Sequence, residues 1–163
     1  MSAIVVDDDD FTRVLLTRTL ESAGHTSVVA AADAATGMRL ADTHRPDLAI
    51  LDLDLGPGPN GIDLAHGLRR LNPTIAIIIL SSYQDPRLVG STRPMPLGAI
   101  YVSKRSVADA HVLEQAVGEV LVSPLAERAA PAPAAPGSRR LSDNQVEIMR
   151  LVAEGYSNAE IAR

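Results

Sequence analysis

The chain has 163 residues, 46% of them hydrophobic, and a formal charge of -5, which suits one compact domain of ordinary size plus an appendage. With no Cys it forms neither disulfides nor thiolate metal sites. One Phe, three Tyr and no Trp make the core aliphatic and argue against stacking platforms for single-stranded nucleic acid. No apolar run approaches the roughly 20 residues that span a bilayer, and the start lacks a basic segment followed by an apolar one, so no membrane role is expected and the cytoplasm is the default setting.

In chain order, Ile4 to Val6 reads as a first strand, followed by a helical stripe of Leu16, Leu20 and Ala23 that stops at Gly24. Ser27 to Ala30 reads as a second strand and Ala32 to His44 as a weaker helix. Leu48 to Leu51 is the third strand, and Leu64, Ala65, Leu68 and Leu71 share a helical face before Pro73. Ile75 to Leu80 and Ile100 to Val102 supply two more strands, and Val107 to Leu121 a strong helix with Ala110, Leu113, Val117, Val120 and Leu121 in phase. Strands alternating with helices predict an α/β fold, a five-stranded parallel sheet with helices on both faces. One connection departs from the pattern: between Tyr83 and Gly98, Pro86, Gly90, Pro94 and Pro96 leave room for no more than about two helical turns.

After Val122 the composition turns to alternating Ala and Pro, which buries no face and favours an extended tether. Ser142 with Gln145, and Ser157 with Glu160, then form two capping boxes, each opening a helix; the second is cut short at Arg163. The expected organisation is a domain over 1–122, a linker over 123–140 and a partial helical unit over 141–163.

Aspartates cluster at the ends of two apolar runs: Asp7, Asp8, Asp9 and Asp10 after AIVV, and Asp52 and Asp54 within LAILDLDLG. Ligands of open parallel sheets sit beyond the carboxyl ends of the strands, where the strand order reverses. With the order 2-1-3-4-5 of a doubly wound, flavodoxin-like sheet, Asp7 and Asp8 face Asp52 across a shared crevice, with Ser81 and Lys104 ending strands four and five. Three carboxylates so close repel one another, and Mg²⁺ offsets that repulsion while keeping water or phosphate oxygens in its shell. A Lys charge and a Ser hydroxyl suit a phosphoryl group.

The motifs VVDDDD, LAILDLDLG, ILSS and YVSK, in that order, resemble the receiver domain of a two-component response regulator. The resemblance implies that Asp52 is the phosphoacceptor for a histidine kinase, and that Asp7 and Asp8 hold Mg²⁺ together with Asp52 and the backbone carbonyl of Asp54. It makes Ser81 the switch hydroxyl, Tyr101 the aromatic that moves with it, and Lys104 the phosphate partner. It implies a phosphoacceptor able at most to lose its own phosphate, not a turnover enzyme, working as a homodimer. LSDNQVEIMRLVAEGYSNAEIAR resembles the start of a LuxR-type helix-turn-helix without its recognition helix. DNA is therefore expected as a partner of the complete protein only, the more so because the five acidic residues and five Arg from Ser123 onward cancel.

Departures from the family pattern are the loop to Gly61, which is one residue longer than usual, and the irregular fourth connection. Tyr83 and Asp54 stand where the family tunes phosphate loss. Blander readings exist for several residues: Asp9 and Asp10 as charges favourable to a helix start, Lys104 as a surface charge, Ser81 and Ser82 as ordinary strand ends, and Tyr101 as a core-edge aromatic. His25, His44, His66 and His111 lack metal spacing and are assigned no role. Two rivals stand beside the receiver: an unphosphorylated pseudo-receiver used for dimerisation or as an adaptor, and a haloacid-dehalogenase-type phosphohydrolase, which D-x-D resembles but which places that motif on its first strand.

Overall fold

A computed structural model describes residues 1–82, 93–107 and 110–122. The Tyr83 side of the fourth connection, the linker and the two capping boxes lie outside them. The described elements are β1 Ser2–Val6, α1 Asp10–Ser22, β2 Ser27–Ala31, α2 Ala34–His44, β3 Leu48–Asp52, α3 Gly61–Leu71, β4 Ala76–Ser81, β5 Ile100–Ser103, α4 Lys104–Val107 and α5 Ala110–Val122. All strand pairs are parallel, as the alternation predicts, and the order is β2-β1-β3-β4-β5, that expected of a flavodoxin-like sheet.

Side chains of a strand alternate between faces, and this divides the core in two. Ala3, Val5, Leu48, Ile50, Ala76, Ile78 and Leu80 pack with Leu16 and Leu20 of α1, Val107 of α4, and Leu113, Ala116, Val117 and Val120 of α5. The alternate set, Ile4, Val6, Ala49, Leu51, Ile77 and Ile79, packs with Ala34 and Ala41 of α2 and Ile62, Leu64, Ala65 and Leu68 of α3. β1, β3 and β4 are buried on both faces, which is why their sequences are continuous apolar runs without alternation.

Each of the first three helices begins at a residue whose side chain satisfies an amide of the first turn: Asp9 accepts from Thr12 N (2.8 Å), Asp33 from Thr36 N (2.8 Å) and Asn60 from Asp63 N (3.0 Å). The cap at Asp33 moves the start of α2 to Ala34, two residues later than its apolar pattern indicates. Ala23, grouped with the buried stripe of α1, is instead the exposed cap of that helix, and Leu121 of α5 is likewise exposed; both sit at the carboxyl end of their helix.

The described end of the fourth connection, residues 93–99, contains no helix. It is tied to α3: Arg69 Nη2 donates to the Leu97 carbonyl (3.0 Å), and His66 Nε2 lies 2.9 Å from the Pro94 carbonyl oxygen. Met95 packs on the α2/α3 side of the core.

Candidate functional site

Register brings the acidic residues together. Val6 pairs with Leu51 and Asp52 with Leu80, so one step past Val6 the chain sets Asp7 opposite Asp52. Asp7 continues the series Ala3, Val5; Asp52 continues Leu48, Ile50; Lys104 continues Ile100, Val102. A period of two therefore delivers all three to the α1/α5 face of the sheet. Ser81 and Tyr101 belong to the opposite series. Ile79 pairs with Tyr101 and Ser81 with Ser103, so these two are diagonal neighbours on the α2/α3 face, where Tyr101 packs at the edge of the core.

At the carboxyl edge, Lys104 Nζ donates to Asp52 Oδ2 at 2.8 Å and stands 2.9 Å from Asp7 Oδ2. Asp7 is fully buried, Asp52 nearly so, and Asp8 is exposed. Burial, with Asp7 nearby, pushes the Asp52 carboxyl up to about 6 even though Lys104 acts against the shift. Burial also works against the charge of Lys104, but its contacts with Asp52 and Asp7 outweigh this and raise it above the ordinary lysine value.

Asp8, Asp52, Asp54, Ser81, Ser82 and Lys104 line an open crevice of about 230 Å³. Asp7, Asp8 and Asp52 each offer a carboxylate oxygen within 4.8 Å of the others. The buried Oδ2 of Asp7 is met by the Lys104 ammonium at 2.9 Å, a charged contact that a cation could replace. An oxygen in that state, beside two further carboxylates, fits a hard divalent cation. Asp54 N donates to Asp52 Oδ1 (3.3 Å), while its own side chain is exposed and accepts from Gly56 N (3.2 Å).

Asp9 and Asp10 stay outside the carboxylate cluster. Asp9 is the α1 cap, and Asp10 pairs with Arg13. Two residues without an assigned role shape the site. Gly61 N donates to the Leu53 carbonyl (3.0 Å), and a Cβ on Gly61 would stand 2.1 Å from the Asp52 carbonyl oxygen, so the long loop closes against the back of Asp52. Arg13 Nη1 donates to the Asp7 carbonyl at 2.7 Å. Its signal in the sequence is the Asp10, Arg13 spacing of three at a helix start.

The family model of the response regulator receiver domain matches residues 3–115. The chain belongs to the response regulator receiver family. Among its relatives, this receiver is 27% identical over 172 residues to the nitrate/nitrite response regulator protein NarL of Escherichia coli K12, covering 98% of this chain and 78% of NarL. It is 30% identical over 112 residues to a protein-glutamate methylesterase/protein-glutamine glutaminase of Natronomonas pharaonis, covering 69% of this chain but only 31% of that enzyme. The structure of RcsB from Salmonella enterica serovar Typhimurium, bound to promoter rprA with the phosphomimetic BeF3-, shares the fold with a TM-score of 0.65 at 24% identity, covering 99% of this chain and 81% of RcsB. Family and sheet order together make this a receiver of phosphorylation-controlled two-component type, and the D-x-D motif on β3 separates it from the phosphohydrolase alternative. No helix among the described residues is long and apolar enough to cross a membrane.

Proposed function

We propose that Asp52 accepts a phosphoryl group from a histidine kinase and that this event controls transcription by the complete protein. A carboxylate oxygen of Asp52 attacks phosphorus, the bond from phosphorus to the donor's imidazole nitrogen breaks, and the imidazole keeps the electron pair and takes up a proton. Lys104 leaves its ion pairs with Asp7 and Asp52 to meet the incoming phosphoryl oxygens, and Ser81 at the rim donates to another. Asp7, Asp8 and Asp52, with the Asp54 carbonyl, would hold Mg²⁺, which supplies positive charge against the phosphoryl oxygens and the acidic cluster. Ser81 and Tyr101, on one face and one diagonal, form the switch pair.

The observation that carries this assignment is Lys104 Nζ poised 2.8 and 2.9 Å from Asp52 and Asp7. A protein phosphodonor is supported by an apolar groove that shares Lys104 with the crevice and is lined by Phe11 and Leu15 of α1, 75% and 40% exposed. DNA binding through a LuxR-type unit is supported by the tail's capping boxes and by the NarL likeness over 98% of the chain; a homodimeric working form and a cytoplasmic setting complete the proposal. The test is intact-mass analysis after treatment with acetyl phosphate. One acid-labile phosphate is expected on the wild type with Mg²⁺ or Mn²⁺ and none on Asp52→Asn. Equal labelling of both rejects Asp52, and none on the wild type favours the pseudo-receiver.

A further inference from the structure

The turn that presents Asp7 and Asp8 is only three residues long, lying between Val6 at the end of β1 and Asp10 at the start of α1. Asp7 is fully buried, so its carbonyl oxygen needs a partner from the protein. Arg13 supplies it. Nη1 donates to that oxygen at 2.7 Å from six residues along the chain, while Nη2 pairs with Asp10, one turn back on α1. The Arg13 side chain is 19% exposed, and its own backbone is held within the helix, its amide donating to the Asp9 carbonyl (3.0 Å) and its carbonyl accepting from Thr17 Oγ1 (2.8 Å).

We propose that Arg13 is a positioning residue of the cation site, acting through the β1–α1 turn and resting on the assignment of Asp7 and Asp8 as cation ligands. The carbonyl it grips belongs to the peptide joining Asp7 to Asp8. Fixing the plane of that peptide fixes the direction in which Asp8 leaves the strand, and so where its carboxylate stands relative to Asp7 and Asp52. Asp7 is already held at its other groups: its amide donates to the Ala31 carbonyl (3.1 Å) and its Oδ1 accepts from the Asp9 amide (3.0 Å). The Arg13 contact completes the set. A planar fork with several donors satisfies a carbonyl and a carboxylate together, whereas a lysine ammonium at the end of a flexible stem does not hold that two-point geometry. Asp10 thereby serves the site as the anchor of the fork, without touching the cation.

Partners of this kind behind metal ligands typically govern affinity by 10- to 100-fold. Calorimetric Mg²⁺ titration of the full chain as wild type, Arg13→Ala and Arg13→Lys tests the role, with melts in EDTA recording whether each variant is folded. The Mg²⁺ dissociation constant should rise about tenfold or more in both variants. Labelling of Asp52 by acetyl phosphate should recover to the wild-type extent when Mg²⁺ is raised to saturation, a recovery that damage to the fold would not show. If Arg13→Ala does not fold, Arg13→Lys, which keeps the stem and the charge, decides. Wild-type binding matched by a folded variant overturns the role of Arg13 alone. Absence of Mg²⁺ binding by the wild type overturns the cation site, and the role of Arg13 with it.

Discussion

Asp52 is held where the acid form is favoured: burial, with Asp7 nearby, takes its carboxyl from 3.8 up to about 6 despite Lys104. Between about pH 4 and 6 the folded chain keeps a proton there that the unfolded chain has lost. The stability that this group contributes to the metal-free protein should therefore be fullest below about pH 4 and be lost as pH rises through 6. The loss from this group should be on the order of 1 kcal/mol, less than direct conversion of the shift because the crevice opens to solvent. Urea unfolding in EDTA at pH 4.5 and 7 is the measurement, with Asp52→Asn as the comparison, and the variant should lack this component of the fall. The candidate carboxylates and Lys104 were legible in the sequence because each ends an apolar run, and strand ends are places sequence patterning marks well. Of Arg13 only the spacing from Asp10 was legible, because its contact with the Asp7 carbonyl depends on the path of a three-residue turn.

The β3–α3 loop shows how an element constrains the site it carries. An added methyl at Gly61 would meet the Asp52 carbonyl at 2.1 Å and Leu53 Cα at 3.1 Å, both backbone atoms that yield only if the loop moves. Gly61→Ala should lose about 2 kcal/mol or more of stability and label poorly with acetyl phosphate, because the displaced carbonyl is that of Asp52. Gly67 provides the contrast within the same helix. There the new methyl meets the flexible end of Met38 at 3.2 Å, and better helix propensity offsets the crowding, so Gly67→Ala should stay within about 1 kcal/mol of the wild type in the same denaturant series. The length of this loop was readable from DLDLGPGPNG, but the close approach was not, since nothing local distinguishes a turn glycine from one pressed against another strand.

For the whole molecule, the site gathers like charges at one edge of a sheet whose core is otherwise aliphatic, so occupancy and stability are linked. A cation that binds only the folded form stabilises it by mass action, about 2.7 kcal/mol when present at a hundred times its dissociation constant. Thermal midpoints should climb with MgCl2 in the wild type. They should stay flat in Asp8→Ala, which removes a proposed ligand oxygen, and still climb in Asp10→Ala, only at somewhat higher Mg²⁺, because that carboxylate lies outside the cluster and acts through Arg13 alone. Parallel melts of the three proteins across a Mg²⁺ series check this, and equal responses from both variants would remove Asp8 from the site.

The alternation of apolar runs and helical stripes determined the five parallel strands, the two-faced core and the residues at the strand ends, because hydrophobic periodicity is a local property of the chain. The caps refined it: Asp33 and Asn60 set where α2 and α3 begin. The expected strand order already put the ends of β1 and β3 side by side; tertiary structure alone decided the register and the face each side chain takes. The register of β1 on β3 sets Asp7 against Asp52, a two-residue period turns both toward Lys104, and the same period sends Ser81 and Tyr101 to the other face. It also decided the supports, Arg13 on the Asp7 carbonyl and Gly61 behind Asp52. Such contacts depend on distances between backbone segments, and those distances exist only once the sheet has assembled.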